Sequence, residues 1–76
     1  MNLFEVKELR PYKIKSIETD NEKVRDFLFS LGFVPEEIVE VIIKQRHGIV
    51  ALVKECRYSL DAELAKVILV YNDPDL

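Results

Sequence analysis

The chain has 76 residues, 49% of them hydrophobic and 33% charged, and its formal net charge is −3. A chain of this size and composition folds around one small core, so we expect a single domain over residues 1–76 and no long disordered segment. The acidic balance argues against the clustered Lys and Arg by which proteins bind nucleic acid, and no direct nucleic-acid partner is expected.

The compartment is predicted from cysteine usage and hydropathy. The single cysteine, Cys56, cannot form an internal disulfide, which favours a reducing compartment. The opening MNLFEVKELR lacks the apolar run of a secretory signal. The longest apolar runs, such as residues 49–53, are far shorter than the roughly 20 residues that span a bilayer. We therefore expect a cytoplasmic protein that reaches a membrane only through a partner.

The first predicted strand lies in YKIKSI, where the β-branched Ile14 and Ile17 favour extended structure. These two residues are three apart rather than two, so strict alternation fails. We therefore expect a bulge within this strand or an early end to it.

An amphipathic helix of about a dozen residues follows the first strand. Thr19 and Glu22 have the spacing of a capping box, and Gly32 followed by Pro35 is typical of a helix end. Apolar residues at i, i+3, i+4 and i+7 share one side of this helix and are expected to close the core. They are Val24, Phe27, Leu28 and Leu31.

Two long strands are predicted next, joined by the polar segment 44–48 as a hairpin. In IVEVIIK, the residues Val39, Val41 and Ile43 share one parity and form the expected core face. The following GIVALVK is apolar on both faces, which predicts a central strand.

The end of the chain is predicted to contain a short strand in RYSL, a helical turn and a last strand over residues 67–71. Asp61 is placed to cap the helical turn. The last strand is expected to end at Asn72, Asp73 and Pro74. Because the connections are too short for crossover helices, the strands must form an antiparallel, strongly bent barrel.

Catalytic and nucleotide-binding motifs are missing. The only glycines are Gly32 and Gly48, too few for a loop that cradles phosphates. His47 and Cys56 fall at opposite ends of a predicted strand and so cannot act as a catalytic pair. No enzymatic activity is expected.

The usual ligands of a zinc or non-haem iron site are also too few, since the chain has one His and one Cys. Carboxylates that could contribute to such a site are plentiful, namely Glu36, Glu37, Glu40, Asp73 and Asp75. We interpret them as solvated surface acids, and no metal or cofactor site is expected.

A protein-interaction surface is the remaining hypothesis. Phe29 lies about 150° from the centre of the apolar stripe of the helix, near Arg25. Either the N-terminal residues Leu3, Phe4 and Val6 cover Phe29, or Phe29 is an exposed anchor for a partner. Tyr58 has the same two interpretations, and Ile38 and Ile42 could extend the patch on the outer face. The candidate interface is Phe29, Arg25, Tyr58, Ile38 and Ile42.

Two groups of residues resemble a known family. The first group is Arg25, Leu28, Leu31, Gly32, Phe33 and Pro35, followed by Val39 and Val41. It resembles the R-x-x-L-x-x-LG-hydrophobic-x-P signature of FeoA proteins, and the ending Leu60, Ala65, Ile68 and Val70 is similar to the tail of that family. The resemblance extends from about Val6 to Val70. It implies a mainly β fold, a small SH3-like antiparallel β-barrel with the amphipathic helix inserted after the first strand.

The resemblance also implies a function. FeoA proteins are small partners of the bacterial ferrous iron transporter FeoB, so this chain is expected to be a non-enzymatic accessory protein that binds the cytoplasmic side of such a transporter. One alternative is a regulatory domain that serves an iron-dependent transcriptional repressor, because related barrels occur in those proteins. The other alternative is a general protein-interaction barrel.

The chain departs from the family pattern at three positions where glycine is common. Tyr12, Glu36 and Glu55 occupy these positions. Because glycine reaches positive φ more easily than these residues do, the turns concerned are expected to differ in geometry from those of the family.

Overall fold

The computed structural model describes residues 1–72. Its elements, in chain order, are β1 (Pro11–Ile17), α1 (Glu22–Leu31), β2 (Ile38–Lys44), β3 (Gly48–Val53), β4 (Cys56–Asp61), α2 (Ala62–Lys66) and β5 (Ile68–Val70). The strands form one antiparallel sheet in the order β4-β3-β2-β1-β5. The predicted mainly β, SH3-like antiparallel fold with an inserted helix is therefore confirmed, although no hydrogen bonds between β4 and β5 close the sheet.

The core lies on the inner side of this bent sheet. Val39, Val41 and Val53 are buried, as predicted from their parity, and β3 has a neighbour on each side, as its two apolar faces indicated. β-Branched residues suit this position because they pack well on a pleated surface. The largest fully buried side chains are Phe33, Leu3, Ile14, Leu28, Ile49 and Ile68.

Two bulges change the alternation of inner and outer residues. In β1 the register with β5 shifts between Ile14 and Ser16, which confirms the expected bulge. In β2 the register with β3 shifts between Val41 and Ile43. Beyond this second bulge Ile43 pairs with Val50 and is 44% exposed, so its assignment to the core was wrong. An extra residue moves all later side chains to the other face of a strand.

Several tight turns contain residues at positive φ. Lys54 and Glu55 have φ values of 48° and 66° and connect β3 to β4, where the twist of a two-residue hairpin requires such angles. Glu36 has φ 76°. The two glutamates therefore adopt the left-handed geometry that glycine allows. The expected difference from the turns of the family stays a prediction. Tyr12 is a buried residue of β1.

The end of the described chain closes the fold. The Asp61 carboxylate accepts a hydrogen bond from the backbone N–H of Leu64 at 2.8 Å, which confirms the predicted cap of α2. α2 packs against β3, β4 and β5. β5 has three residues, fewer than the five predicted, and Asp73 and Pro74 lie outside the described residues. Neither α1 nor α2, the helices of residues 1–72, is long and apolar enough to cross a membrane.

Candidate protein-interaction surface

Local chemistry sets both ends of α1. Asn21, not Thr19, is the N-cap: its side-chain oxygen accepts hydrogen bonds from the backbone N–H groups of Lys23 at 3.0 Å and Val24 at 3.3 Å. The predicted capping box was therefore wrong, because the Thr19 hydroxyl accepts from the N–H of Asn21 instead. The predicted helix end is confirmed, with Gly32 at φ 107°.

The apolar stripe of α1 is narrower than its spacing predicted. Leu28 is fully buried, and Val24 and Leu31 are partly buried against the core. Phe27 is 49% exposed, so its assignment to the core was wrong. Its Cα direction lies about 100° around the helix from that of Leu28, and the residues of α1 that pack on the core are Leu28, Val24 and Leu31.

Phe29 lies about 100° from Leu28 on the other side of α1 and is 39% exposed. The N-terminal residues do not cover it. Leu3 and Val6 are buried in the core, and the Phe4 ring lies 5.7 Å from the Lys66 ammonium instead. The interpretation that these residues bury Phe29 was therefore wrong, and α1 presents an aromatic ring on each flank of its buried stripe.

Arg25 has a contact within the chain. Its guanidinium donates a hydrogen bond to the backbone carbonyl of Thr19, and the side chain is half-buried. This contact ties α1 to the segment that precedes it. Arg25 lies about 60° from Leu28 around the helix, on the flank that carries Phe29.

Tyr58 belongs to a different part of the molecule. It pairs with the buried Ala51 in the sheet, and its ring meets that of Phe33 edge to face at 5.9 Å between centroids. Hydrogen bonding with the Cys56 side chain, followed by desolvation, raises the pKa of the Tyr58 phenol above its ordinary value of 10.0. The hydroxyl is therefore protonated at neutral pH and can donate a hydrogen bond.

Ile38 and Ile42 are on β2. Ile38 pairs with Lys13 and is 41% exposed on the outer face, whereas Ile42 is the extra residue of the bulge and is half-buried. The structure therefore does not bring the five predicted interface residues together. Arg25 and Phe29 share the helix, Tyr58 packs on the inner side of the sheet, and the two isoleucines belong to β2.

Among residues 1–72, four exposed hydrophobic residues were not among the predicted interface residues: Met1, Leu9, Phe27 and Ile43. A helical wheel places Phe27 at the margin of the stripe, which could have indicated partial exposure. Nothing in the local sequence of β2 signals its bulge. We name Phe27, Phe29 and the exposed residues between and beside them, Lys23, Asp26 and Ser30, the α1 surface.

Reactive side chains remain dispersed. Gly48 pairs with Asp61 and Val53 with Cys56, so His47 and Cys56 lie at opposite ends of the β3–β4 hairpin. No three His, Cys, Asp or Glu side chains within residues 1–72 are grouped so that they could hold a metal ion. One of the candidate acids, Glu37, forms an ion pair with Lys54 at 2.9 Å. Asp73 and Asp75 lie outside the described residues.

A surface pocket of about 230 Å³ lies at the Gly48 end of the hairpin. Its polar lining comes from Gln45, His47, Ser59 and Asp61. One Asp61 oxygen already accepts the capping hydrogen bond of α2. The pocket therefore combines one imidazole and one partly engaged carboxylate, which is short of a complete ligand set for a metal.

Comparison with solved structures supports the same fold. A Stenotrophomonas maltophilia FeoA complexed with zinc, whose description calls it a procaryotic SH3 domain protein, has 25% identity, with a TM-score of 0.84 over 93% of this chain and 89% of that one. Iron(II) transport protein A from Clostridium thermocellum has 28% identity and a TM-score of 0.83, over 92% of this chain and 44% of that one. A manganese-dependent transcriptional repressor has 14% identity and a TM-score of 0.84, over 92% of this chain and 40% of that one, which shows a shared fold alone.

Comparison with curated protein sequences gives no match. The family model described as FeoA domain matches residues 1–72, which is nearly the whole chain. The FeoA family is associated with ferrous iron transport and is not known as a family of enzymes. The signature around α1 and the five-stranded sheet lie within that match, and the chain belongs to the FeoA domain family.

Proposed function

We propose that this protein is a non-enzymatic accessory protein of bacterial ferrous iron uptake that binds the cytoplasmic side of a FeoB-type transporter. Membership of the FeoA family supports the link to ferrous iron transport. The Stenotrophomonas maltophilia relative is described in terms of a bacterial ferrous iron transport activating factor, and the present proposal extends that kind of role to this chain.

The observation that carries the proposal is the exposure of Phe27 and Phe29 on a helix that is held by Leu28. Large aromatic side chains within a polar rim are typical anchors of protein interfaces, because they bury much apolar area and lose little conformational freedom. Lys23, Asp26 and Ser30 supply that rim. The α1 surface is therefore the proposed contact with the transporter.

The arrangement suits regulation by binding. The hydrophobic sheet supports α1 from one side, and the opposite side carries no buried side chain, so a partner can meet α1 without disturbing the core. A contact limited to the exposed side of one ten-residue helix would be small and reversible, which fits an accessory protein that acts on a transporter without being a permanent part of it.

The test is co-purification from detergent extracts with the FeoB-type transporter, followed by measurement of the affinity. Phe29→Asp is expected to leave the fold intact and to weaken binding at least about tenfold, because it places a charge in the anchor position. Phe27→Asp is expected to act in the same direction. Leu9→Asp makes a comparable apolar-to-acidic change at an exposed residue outside the α1 surface and serves as the matched control, with binding close to that of the parent.

The outcome against the proposal is full binding by both phenylalanine variants, or absence of binding by the parent chain. Thermal unfolding of each variant, monitored by circular dichroism, separates loss of contact from loss of fold.

A second candidate function is that of a regulatory domain which works with a metal-dependent repressor. The fold shared with a manganese-dependent repressor favours it, but at 14% identity only the fold is shared. A further alternative is a general protein-interaction barrel. The same capture experiment distinguishes the three candidates, since the protein recovered is a membrane transporter, a repressor or an unrelated partner.

A further inference from the structure

The two edges of the sheet differ in how they are protected. At one edge, residues 1–3 run along β5: Asn2 forms an isolated bridge with Leu69, and the Leu3 N–H donates to the Ile68 carbonyl at 2.9 Å. The N–H of Val70 donates to the Met1 carbonyl at 2.9 Å on the same side. The N-terminal segment thus covers the β5 edge.

The β4 edge has no such cover within residues 1–72. The N–H of Ala62 donates to the His47 carbonyl at 2.9 Å. Because β4 pairs with β3 in the same register, every second residue of β4 forms backbone hydrogen bonds with β3. The intervening residues Arg57, Ser59 and Asp61 direct their backbone groups away from β3. Among the described residues no backbone group pairs with Arg57 or Ser59 on that side, and both side chains are exposed.

An open edge of this kind is a template for another strand, because its N–H and C=O groups are spaced to continue the ladder. We propose that the β4 edge binds the β4 edge of a second copy of this chain, in antiparallel orientation, about a two-fold axis through Ser59. The resulting contact is isologous, with the same residues used by both copies.

Charge complementarity selects this register and this occupant. With Ser59 opposite Ser59, Arg57 of each copy lies opposite Asp61 of the other, so two pairs of opposite charges form on one face. On the other face Tyr58 lies opposite Leu60, which is an apolar pair. β4 is therefore complementary to itself in both charge and hydropathy.

The neighbouring registers are less favourable. A two-fold axis at Arg57 or at Asp61 places identical charges opposite each other. An axis at Tyr58 places Asp61 of one copy opposite Glu55 of the other. Of these arrangements, the one centred on Ser59 alone pairs opposite charges.

The size of the contact predicts a weak association. A pair of six-residue edge strands makes about six backbone hydrogen bonds across the axis and buries less than the roughly 1,200 Å² of a standard stable interface. Exposed ion pairs add little energy, so the charges chiefly fix the register. We expect dimerisation over a concentration range of about 10 μM to 1 mM.

Sedimentation equilibrium over this range tests the dimer. Arg57→Glu faces the carboxylate of Asp61 and is expected to weaken dimerisation at least about tenfold. Ser59→Pro removes the central N–H donor; this N–H points away from β3, so proline is tolerated there as on other edge strands, and the dimer is expected to be lost. Lys23→Glu makes the same charge change as Arg57→Glu on α1 and is the matched control, with dimerisation unchanged.

Cross-linking tests the register directly, in a Cys56→Ser background that removes the native thiol. Ser59→Cys places two thiols at a hydrogen-bonded pair with Cα atoms about 5.5 Å apart, within disulfide reach, and is expected to give a covalent dimer when oxidised glutathione is added. Arg57→Cys is the matched control, because its two thiols lie far from the axis and are expected to stay unlinked.

A parent chain that stays monomeric at about 1 mM would overturn the proposal. So would a dimer that Arg57→Glu and Ser59→Pro leave unchanged, or equal cross-linking at positions 57 and 59. Thermal unfolding identifies any variant that fails to fold, in which case the cross-linking result decides. None of these outcomes depends on binding to a transporter, so this proposal and the proposed function fail independently.

Discussion

The sheet and α1 are held in the fold in different ways. β1, β2 and β3 each place several side chains in the core, and β3 pairs along both of its edges. α1 buries one side chain completely, Leu28, and leaves Phe27 and Phe29 exposed on its two flanks. The sheet is thus fixed by many contacts, and the position of α1 depends on few.

This difference shows which residues can be substituted without loss of the fold. Most of the buried apolar area belongs to the strands, so they supply most of the stability. The exposed residues of α1 contribute little to it and are available for recognition. Local opening of α1 is expected to be easier than opening of β3, because regions with few buried contacts open at lower free energy.

Leu28→Ala tests the largest of these effects. The substitution leaves a cavity between α1 and the core, and we expect it to lower the free energy of unfolding by about 2–5 kcal/mol. Urea denaturation measures this change. Faster amide exchange in α1 than in β3 is expected to accompany it, since Leu28 is the only fully buried residue of the helix.

Phe27→Ala is the matched control for Leu28→Ala on the same helix. Because Phe27 is half-exposed, we expect the free energy of unfolding to fall by no more than about 1 kcal/mol. Equal losses in the two variants would show that α1 is held by its flank as much as by Leu28, and the contrast between helix and sheet would then be wrong.

The two glycines sharpen the comparison, because one lies in the sheet and the other ends α1. A Cβ at Gly48 would lie 2.3 Å from the Leu60 carbonyl oxygen, so Gly48→Ala must displace backbone between β3 and β4. We expect it to cost about 2–3 kcal/mol. At Gly32 the nearest atom is 3.0 Å away on the flexible Lys54 side chain, but φ is 107°. Gly32→Ala is therefore expected to cost only about 1 kcal/mol, through backbone strain.

Thermal unfolding of both variants measures this difference, and the ranking is the test. A Gly48→Ala variant as stable as the parent would show that β3 and β4 do not approach each other closely at Gly48. A larger loss for Gly32→Ala than for Gly48→Ala would place the greater constraint at the end of the helix.

The sequence predicts well those features that depend on neighbouring residues. The bounds of β2, the helix end at Gly32 and the cap at Asp61 were predicted because they follow, respectively, from a local hydrophobic period, from the left-handed conformation of glycine and from a single side-chain hydrogen bond. The bulge in β1 was predicted for the same reason, since the spacing of Ile14 and Ile17 breaks the alternation.

Features that depend on distant contacts were missed. Phe27 was assigned to the core because its spacing fits the stripe, but the angle at which α1 meets the sheet decides which flank is covered. Ile43 was misplaced because the bulge in β2 is set by pairing with β3. Thr19 and Asn21 are both good caps, and only the path of the chain decides between them. The candidate interface stays a prediction, and its five residues lie on α1, β2 and β4 rather than on one surface.

The smallest expected effect concerns the turn between β3 and β4. Glu55 has φ 66°, which an ordinary side chain adopts at some cost, and glycine is favoured at this place in a two-residue hairpin turn. Glu55→Gly is therefore expected to raise the free energy of unfolding by up to about 1 kcal/mol, measured by urea denaturation. Glu63→Gly, in the first turn of α2, makes the same chemical change where φ suits any residue and is expected to lower stability by about 0.5–1 kcal/mol. Effects of the same sign at both sites would mean that loss of charge, rather than relief of strain in the sheet turn, controls the result.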